Sequence, residues 1–500
     1  MELDRARELI DELDGEILKL FLHRMELCRA IAEDKGRSAR PIRDIERENE
    51  ILEIAAKKSG ELAPYSKELF KTMMAQSRAY QRELLERGES FALLGASLER
   101  CFSRRVRKML GAGEVQLLEV NEPELEHTLQ YSGIKGFGIE TPYKRLATEF
   151  CHELSDTARD TGCVDTVLRQ PDGMLCGHNT GAKALELALK RAGIELSGRR
   201  VLVLGSGGAS LTAQFVARKS GALRIDVVSR TGAADYDDLL YLSDSEVIIN
   251  ATPVGMYPDC SGMPLSLELF PECVGVFDFA YKPLCTRLVA EARRRGIKSS
   301  GGLAMLVYQA KREQELFSGS SISGEQTERV IAALNMEMRN IVIIGMPGSG
   351  KSSIARELAV LSGKELYSVD DNIARNTGMS AGEIIRTYGE PYFRRLEHEQ
   401  IVLAGARNGA VIDTGGGSVT VADNLPPMRQ NGSIYRIERD LDLLVLDDRP
   451  LSGSRQNLEA LGERRDPMYR AFADASIQNS GTIAQAAQRI WEDFCEHNAY

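Results

Sequence analysis

Residues 345–353 read Gly-Met-Pro-Gly-Ser-Gly-Lys-Ser-Ser, a composition that leaves the backbone few ways to run. Before it stands Asn340-Ile341-Val342-Ile343-Ile344, apolar and β-branched. After it, Ile354-Ala355-Arg356-Glu357-Leu358-Ala359-Val360-Leu361 has helical spacing. Strand, glycine turn and helix in that order make a phosphate cradle. The backbone N–H groups of Gly348, Ser349, Gly350, Lys351, Ser352 and Ser353 can turn inward, and the helix N-terminus adds its positive end. Lys351 can reach the outer phosphates, and the Ser352 hydroxyl can ligate Mg²⁺. A surface turn with a solvated lysine is the plainer alternative; the flanking strand and helix favour a bound nucleoside triphosphate.

A chain of 500 residues exceeds one hydrophobic core, so two to four domains are expected. No apolar run reaches the about 18 residues that a membrane span requires. The start, Met1-Glu2-Leu3-Asp4-Arg5, is acidic and helix-like, unlike a signal or transit peptide. Nine cysteines without paired metal spacing fit reduced thiols in a cytoplasm. A net charge of −10 offers no global field for nucleic acid, so an anionic ligand must be gripped by local arginines.

Residues 4 to about 35 read as one helix, with Leu9, Leu13, Ile17, Leu20, Leu27 and Ile31 near helical spacing. Arg40-Pro41 breaks it; further helices are expected from about Arg43 to Lys58 and from about Pro64 to Glu86. The first would be about 48 Å long, whereas a compact globule of this size is about 30 Å across. One copy cannot cover it, so a homodimer intertwined through these helices is expected. By pattern alone Arg7, Arg24, Lys35, Asp44, Arg47, Glu48, Ser77 and Gln81 would be an ordinary charged surface. The run Arg40-Pro41-Ile42-Arg43-Asp44-Ile45-Glu46-Arg47-Glu48 nevertheless resembles the all-helical chorismate mutase family, whose active-site pattern those eight residues match. The resemblance implies that Arg7 of the partner chain, Arg24 and Arg47 hold the carboxylates of chorismate, with Ser77 assisting. Lys35 and Gln81 would be catalytic, donating to the ether oxygen, and Glu48 with the Asp44 backbone would orient the hydroxyl. No proton moves in that rearrangement, so positioning and preorganised charge carry the rate.

From Phe91 to about residue 317 strands and helices alternate, the mark of α/β architecture. Arg200-Val201-Leu202-Val203-Leu204-Gly205-Ser206-Gly207-Gly208-Ala209 is a strand running into a glycine turn. Gly205, Gly207, Gly208 and Ala209 could approach a pyrophosphate, and Arg230 after the next strand could pair with a 2′-phosphate, favouring NADP. A structural glycine turn beside a surface arginine is the alternative. Thr141-Pro142-Tyr143-Lys144, Asn250-Ala251-Thr252-Pro253-Val254-Gly255-Met256 and Gly302-Leu303-Ala304-Met305-Leu306-Val307-Tyr308-Gln309 resemble shikimate dehydrogenase. That resemblance implies a catalytic Lys144 and a substrate contact at Gln309. The family's catalytic aspartate, however, corresponds to Gly181, and its two carboxylate-binding serines to Glu99 and Cys101. An asparagine and a threonine of the pocket correspond to Asp165 and Glu140, another asparagine to Gly138. A substrate carboxylate about 4 Å from Glu99 would be repelled by roughly 4 kcal/mol. Asp165 or Glu140 could replace the missing carboxylate but not the grip. Weak or absent NADP binding and inefficient reduction of 3-dehydroshikimate are therefore expected, with a spacer role or another substrate as alternatives.

The last 160 or so residues resemble shikimate kinase. By that resemblance Asp370 is the base or hydroxyl-orienting group. Arg394 and Arg470, in Phe393-Arg394-Arg395 and Met468-Tyr469-Arg470, would clamp the carboxylate of shikimate. Gly416 would line the ring, and Arg449 of a lid would join Lys351 on ATP. The family's second aspartate is here Ser368; Asp371 or Asp413 could compensate, and Mg²⁺ affinity should be weakened.

The expected architecture is multidomain: an all-α three-helix chorismate mutase unit (1–88), an α/β shikimate-dehydrogenase-like unit (89–319) and an α/β P-loop kinase (339–500). The middle unit divides into a substrate lobe of about 89–190 and a Rossmann subdomain of about 191–300. Residues 320–338 are expected as a linker: Ser318-Gly319-Ser320-Ser321-Ile322-Ser323-Gly324 is small and polar, and a short helix from about Gln326 to Leu334 then leads to the strand before the phosphate loop.

Overall fold

The computed structural model describes residues 3–38, 45–87, 91–98, 102–112, 115–132, 134–170, 172–230, 232, 234–440 and 455–498. The chain divides into two compact units, Met1–Thr180 with Arg312–Ser321, and Gly181–Lys311 with Ile322–Tyr500.

The first unit opens with α1 (Leu3–Ser38), α2 (Ile45–Ser59) and α3 (Ala63–Arg87), close to the expected spans. Pro64 sits in the first turn of α3, where its missing N–H costs nothing. α3 packs on both α1 and α2, burying Cys28, Ala55, Met74, Ser77 and Gln81. The rest of the α1 stripe is open: Leu13, Ile17, Leu20 and Leu27 are 57%, 59%, 71% and 55% exposed.

A six-stranded sheet follows, built from β1 (Phe91–Gly95), β2 (Gln116–Glu119), β3 (Gly136–Ile139), β4 (Glu153–Leu154), β5 (Thr166–Arg169) and β6 (Leu175–His178). Its order is β2-β1-β3-β5-β6-β4, with β5 antiparallel to both neighbours. Leu94, Leu125, Phe137, Ile139 and Val167 form its core. Phe317 stacks on Phe91 at 4.0 Å, a place it can take because a Cβ at residue 136 would stand 2.5 Å from its ring.

The second unit holds two five-stranded parallel sheets. In the first, β7 (Arg200–Leu204), β8 (Arg224–Val228), β9 (Val247–Asn250), β10 (Gly275–Asp278) and β11 (Lys298–Ser300) run in the order β11-β10-β9-β7-β8. α4 (Gly181–Arg191) and α5 (Gly208–Lys219) cover one face through Leu185, Leu189, Ala213 and Val216. The short helix expected within 320–338 is longer than foreseen: α6 (Gly324–Met338) is capped by Ser323 and buries Val330, Ile331 and Leu334, whose helical spacing extends the helix up to the next strand.

The second sheet has the order β13-β14-β12-β15-β16, from β12 (Asn340–Gly345), β13 (Glu365–Ser368), β14 (Ala410–Asp413), β15 (Gly432–Glu438) and β16 (Ala475–Gln478). Every residue of β12 is buried, as a central parallel strand with covered faces requires. Layers of apolar side chains around Ile344 and Phe393 and around Ile343 and Phe494 fill its two faces. The two sheets of this unit are tied by buried polar contacts: Leu284 N donates to Asn431 Oδ1 (2.6 Å), Cys285 N to Gln430 O (2.9 Å), and Gln430 Nε2 to Cys260 O (2.7 Å).

Candidate active sites

The phosphate cradle lies where the strand–turn–helix pattern puts it. Gly348 (φ 78°) and Gly350 (φ 91°) take left-handed backbone, which a side chain would oppose. α7 (Lys351–Ser362) starts at the lysine, so Lys351, Ser352 and Ser353 form its first turn. Lys351 is buried, its Nζ donating to Met346 O at 3.0 Å, and Asn479 Nδ2 braces the turn through Ser349 O at 2.8 Å. Beyond the carboxyl end of β13, α8 (Val369–Thr377) carries Asp370 and Asp371 in its first turn. Ser368 is its N-cap, accepting from the Asp371 amide at 3.3 Å.

Three consecutive glycines after β14 gather the acceptor side of this site. A Cβ on Gly415 would lie 2.3 Å from Glu397 Oε1 and 3.1 Å from Asp370 Oδ1; one on Gly417 would lie 2.0 Å from the Arg394 guanidinium. On α9 (Glu390–Gly405), Arg394 donates from Nη1 to Glu397 Oε2 (2.6 Å) and from Nη2 to Glu390 Oε1 (2.8 Å). Glu397 is wholly buried; desolvation pushes its carboxyl above the usual range, against the pull of Arg394.

Arg470, expected beside Arg394, is not there. On α10 (Arg455–Phe472) its side chain is 74% exposed and pairs with Asp466 at 2.9 Å. Arg465 occupies the site instead: it is buried, and its Nη1 donates to Gly416 O at 3.0 Å. Tyr469, one turn on, donates its hydroxyl to the same carbonyl. Arg465 and Tyr469 share a helix face at a separation of four, whereas Arg470 points about 100° away. That spacing was the available signal, and the more conspicuous Tyr-Arg pair hid it. Arg449 lies outside the described residues.

Around the first sheet of the second unit, Gly205 (φ 110°) turns the chain after β7, and a Cβ there would sit 3.0 Å from Ala251 O. Gly207 caps α5, so Gly208 and Ala209 open that helix and present N–H groups as a dinucleotide turn does. Arg230 follows β8 and is exposed; Gln309 is half-buried in helix Leu303–Ser318.

In the first unit Lys144 is half-buried among carboxylates. Loss of hydration would lower its pKa, but Glu140, Asp165 and Glu313 outweigh it and hold the ammonium above its ordinary range. Both candidate substitute carboxylates carry other hydrogen bonds as well. Asp165 Oδ1 accepts the Thr180 amide (2.7 Å), the Thr180 hydroxyl (2.8 Å) and the Thr166 hydroxyl (3.0 Å). Glu140 accepts from Ser103 at 2.8 Å. Arg107, which the sequence did not single out, forms a buried ion pair with Glu313. It passes so close to β3 that a Cβ at residue 138 would meet its Nη2 at 2.5 Å. Glu99 and Cys101 lie outside the described residues.

Among the helical residues, Ser77 and Gln81 are buried on α3 and Arg24 is half-buried on α1. Arg24 Nε and Gln81 Oε1 are shielded from water with no hydrogen-bond partner. Glu48 pairs with Arg78, a residue not anticipated. Arg47 pairs with Glu50 at 2.7 Å and Arg7 is exposed. Asp44 and the side chain of Lys35 lie outside the described residues.

Fold and sites thus describe a P-loop phosphotransferase and a dinucleotide-type α/β fold preceded by a long-helix unit. Family models match residues 347–495 to shikimate kinase and residues 6–82 to chorismate mutase type II. The shikimate dehydrogenase (NADP(+)) of Thermococcus kodakarensis is 36% identical over 229 residues, 42% of this chain and 83% of that protein. That of Caldicellulosiruptor bescii is 35% identical over 195 residues, 35% of this chain and 67% of that protein. A solved chorismate mutase/shikimate 5-dehydrogenase fusion protein from Clostridium acetobutylicum aligns at 29% identity and a TM-score of 0.46, covering 49% of this chain and 96% of that one. The chain belongs to the shikimate dehydrogenase family. It is a fusion enzyme in which that family's fold stands between a chorismate mutase type II module and a shikimate kinase module. Among the described residues no helix is long and apolar enough to cross a membrane.

Proposed function

We propose that the C-terminal module transfers the γ-phosphoryl group of ATP to shikimate. The carrying observation is the convergence of Asp370, Arg394, Glu397 and Arg465 on Gly415–Gly417, beside the phosphate cradle. Two guanidiniums at one wall suit a small carboxylate, held by forked hydrogen bonds. Asp370 then faces the attacking hydroxyl, orienting it and receiving its proton. Lys351, with Arg449, holds the phosphates; Ser352 is the cradle's hydroxyl for Mg²⁺, which when bound offsets phosphate charge.

In the same reading the N-terminal module converts chorismate to prephenate. Its support is the pair of sheltered, unpartnered polar atoms, Arg24 Nε and Gln81 Oε1; buried polar groups left open are costly unless a ligand meets them. The module works as a homodimer through α1. Leu13→Lys with Ile17→Lys is expected to turn a dimer into a monomer in sedimentation and to abolish most mutase activity, sparing the kinase. Burial of each such side chain contributes about 1.5–3 kcal/mol. An unchanged mass with unchanged mutase activity would refute the dimer.

For the middle module the reading is a spacer that does not reduce 3-dehydroshikimate efficiently and binds NADP weakly or not at all. Gly138 stands where the family has an asparagine, and Arg107 fills the vacated space, paired with Glu313. Asp165 and Glu140 lie in the field of Lys144 but also accept from Thr180 and Ser103. The contrary reading, a trifunctional enzyme, draws on the intact glycine turn after β7. Assaying the whole chain for three reactions decides. Kinase and mutase turnover should fall in the usual range of about 1–10³ s⁻¹, with NADP-dependent shikimate oxidation at background. Shikimate oxidation at an ordinary rate would overturn the spacer. A cytoplasmic location belongs to this proposal.

A further inference from the structure

β13 and β14 run parallel, and their register sets Ser368 directly against Asp413. Residues opposed in adjacent strands project to the same side of the sheet and are near neighbours. The carboxylate expected at residue 368 is thus absent from one strand and present at the matching position of the next. Ser368 is committed otherwise, to capping α8. Asp413 is only 7% exposed. Its carboxyl adjoins the Ser352 hydroxyl and lies in the field of Lys351, Asp370 and Asp371. Its Oδ1 is buried with no hydrogen-bond partner.

A carboxylate oxygen left bare in such a place is costly, and what would satisfy it can be read from its neighbours. Three carboxylates face one ammonium, so the local field favours a cation. The hydroxyl beside Asp413 is the one the cradle directs at a metal. A carboxylate and a hydroxyl leave the remaining positions to phosphate oxygens and water, the usual company of Mg²⁺.

We propose that Asp413 supplies the carboxylate of the divalent-cation site, replacing the one missing at residue 368. The assignment rests on the kinase reading. Bound beside Ser352, the cation would take Asp413 Oδ1 directly or through one water. The affinity loss expected from Ser368 should therefore be largely restored by Asp413.

The test is titration of the full chain with Mn²⁺ in the presence of ADP, followed by electron paramagnetic resonance, with metal-free ADP binding measured in parallel. Asp413→Asn should weaken Mn²⁺ about 10- to 100-fold, the usual loss for a disturbed metal shell, and leave metal-free ADP affinity within about twofold. Adding Ser368→Asp to that variant should recover Mn²⁺ binding, which a merely structural role for Asp413 would not permit. Asp371→Asn should change Mn²⁺ affinity little. If Asp413→Asn unfolds, Asp413→Ser with Ser368→Asp replaces it, and recovered Mn²⁺ binding remains the expected result. Wild-type Mn²⁺ affinity retained in Asp413→Asn, its loss in Asp371→Asn instead, or no recovery with Ser368→Asp would overturn the assignment. Failure of the wild-type chain to bind Mn²⁺ with ADP would remove the kinase reading itself.

Discussion

Arg465→Ala is expected to raise the KM for shikimate by about 30- to 1,000-fold while changing the KM for ATP by less than about threefold. The range corresponds to the roughly 2–4 kcal/mol lost when a charge-assisted, forked contact to a carboxylate is removed from a sheltered site. Arg470→Ala should change neither constant by more than about twofold, because an exposed ion pair such as Arg470–Asp466 contributes at most about 1 kcal/mol, and that to stability. Arg465→Lys should recover only part of the loss, since an ammonium cannot offer the paired N–H groups. Steady-state kinetics with each substrate varied in turn reads all three. Equal losses for Arg465→Ala and Arg470→Ala, or a loss confined to ATP, would remove Arg465 from the clamp. Thermal denaturation of Arg465→Ala controls for the bond it makes to Gly416 O.

Glu313→Ala should destabilise the first unit by about 3–5 kcal/mol, the usual consequence of stranding one member of a buried ion pair. Arg107 would be left inside the fold at 2% exposure with its counter-ion removed. Replacing both partners, Arg107→Met with Glu313→Leu, should recover most of that loss, because well-packed apolar side chains often match a buried pair. Urea denaturation of the three chains measures it. A single variant as stable as the parent would show that the pair does not close this pocket. The kinase should stay active in all three, since its residues belong to the other unit.

Much of the architecture could be read from local pattern. The α1 stripe, the run before Gly345 and the one before Gly205 each announce their element and its end, because hydrophobic period and glycine turns act over a few residues. The positions of Lys351 and Ser352 followed from the same local order, whereas Asp370 and Arg394 came from the resemblance to shikimate kinase. The short helix expected at about Gln326 to Leu334 is present and longer, Gly324–Met338, because Val330, Ile331 and Leu334 find a surface to pack on.

The amino-acid order by itself determined the three modules, their cradle loops and the altered residues of the middle pocket. Only the tertiary structure decided that Arg465 and not Arg470 reaches Gly416, that Arg107, paired with Glu313, lies against Gly138, and that Asp413 stands opposite Ser368. The physical reason is range. Strand register and the pairing of buried charges join residues from 45 to more than 200 positions apart, and no local pattern carries that information; for the arginine the local spacing admitted Arg465, and its contact with Gly416 decided.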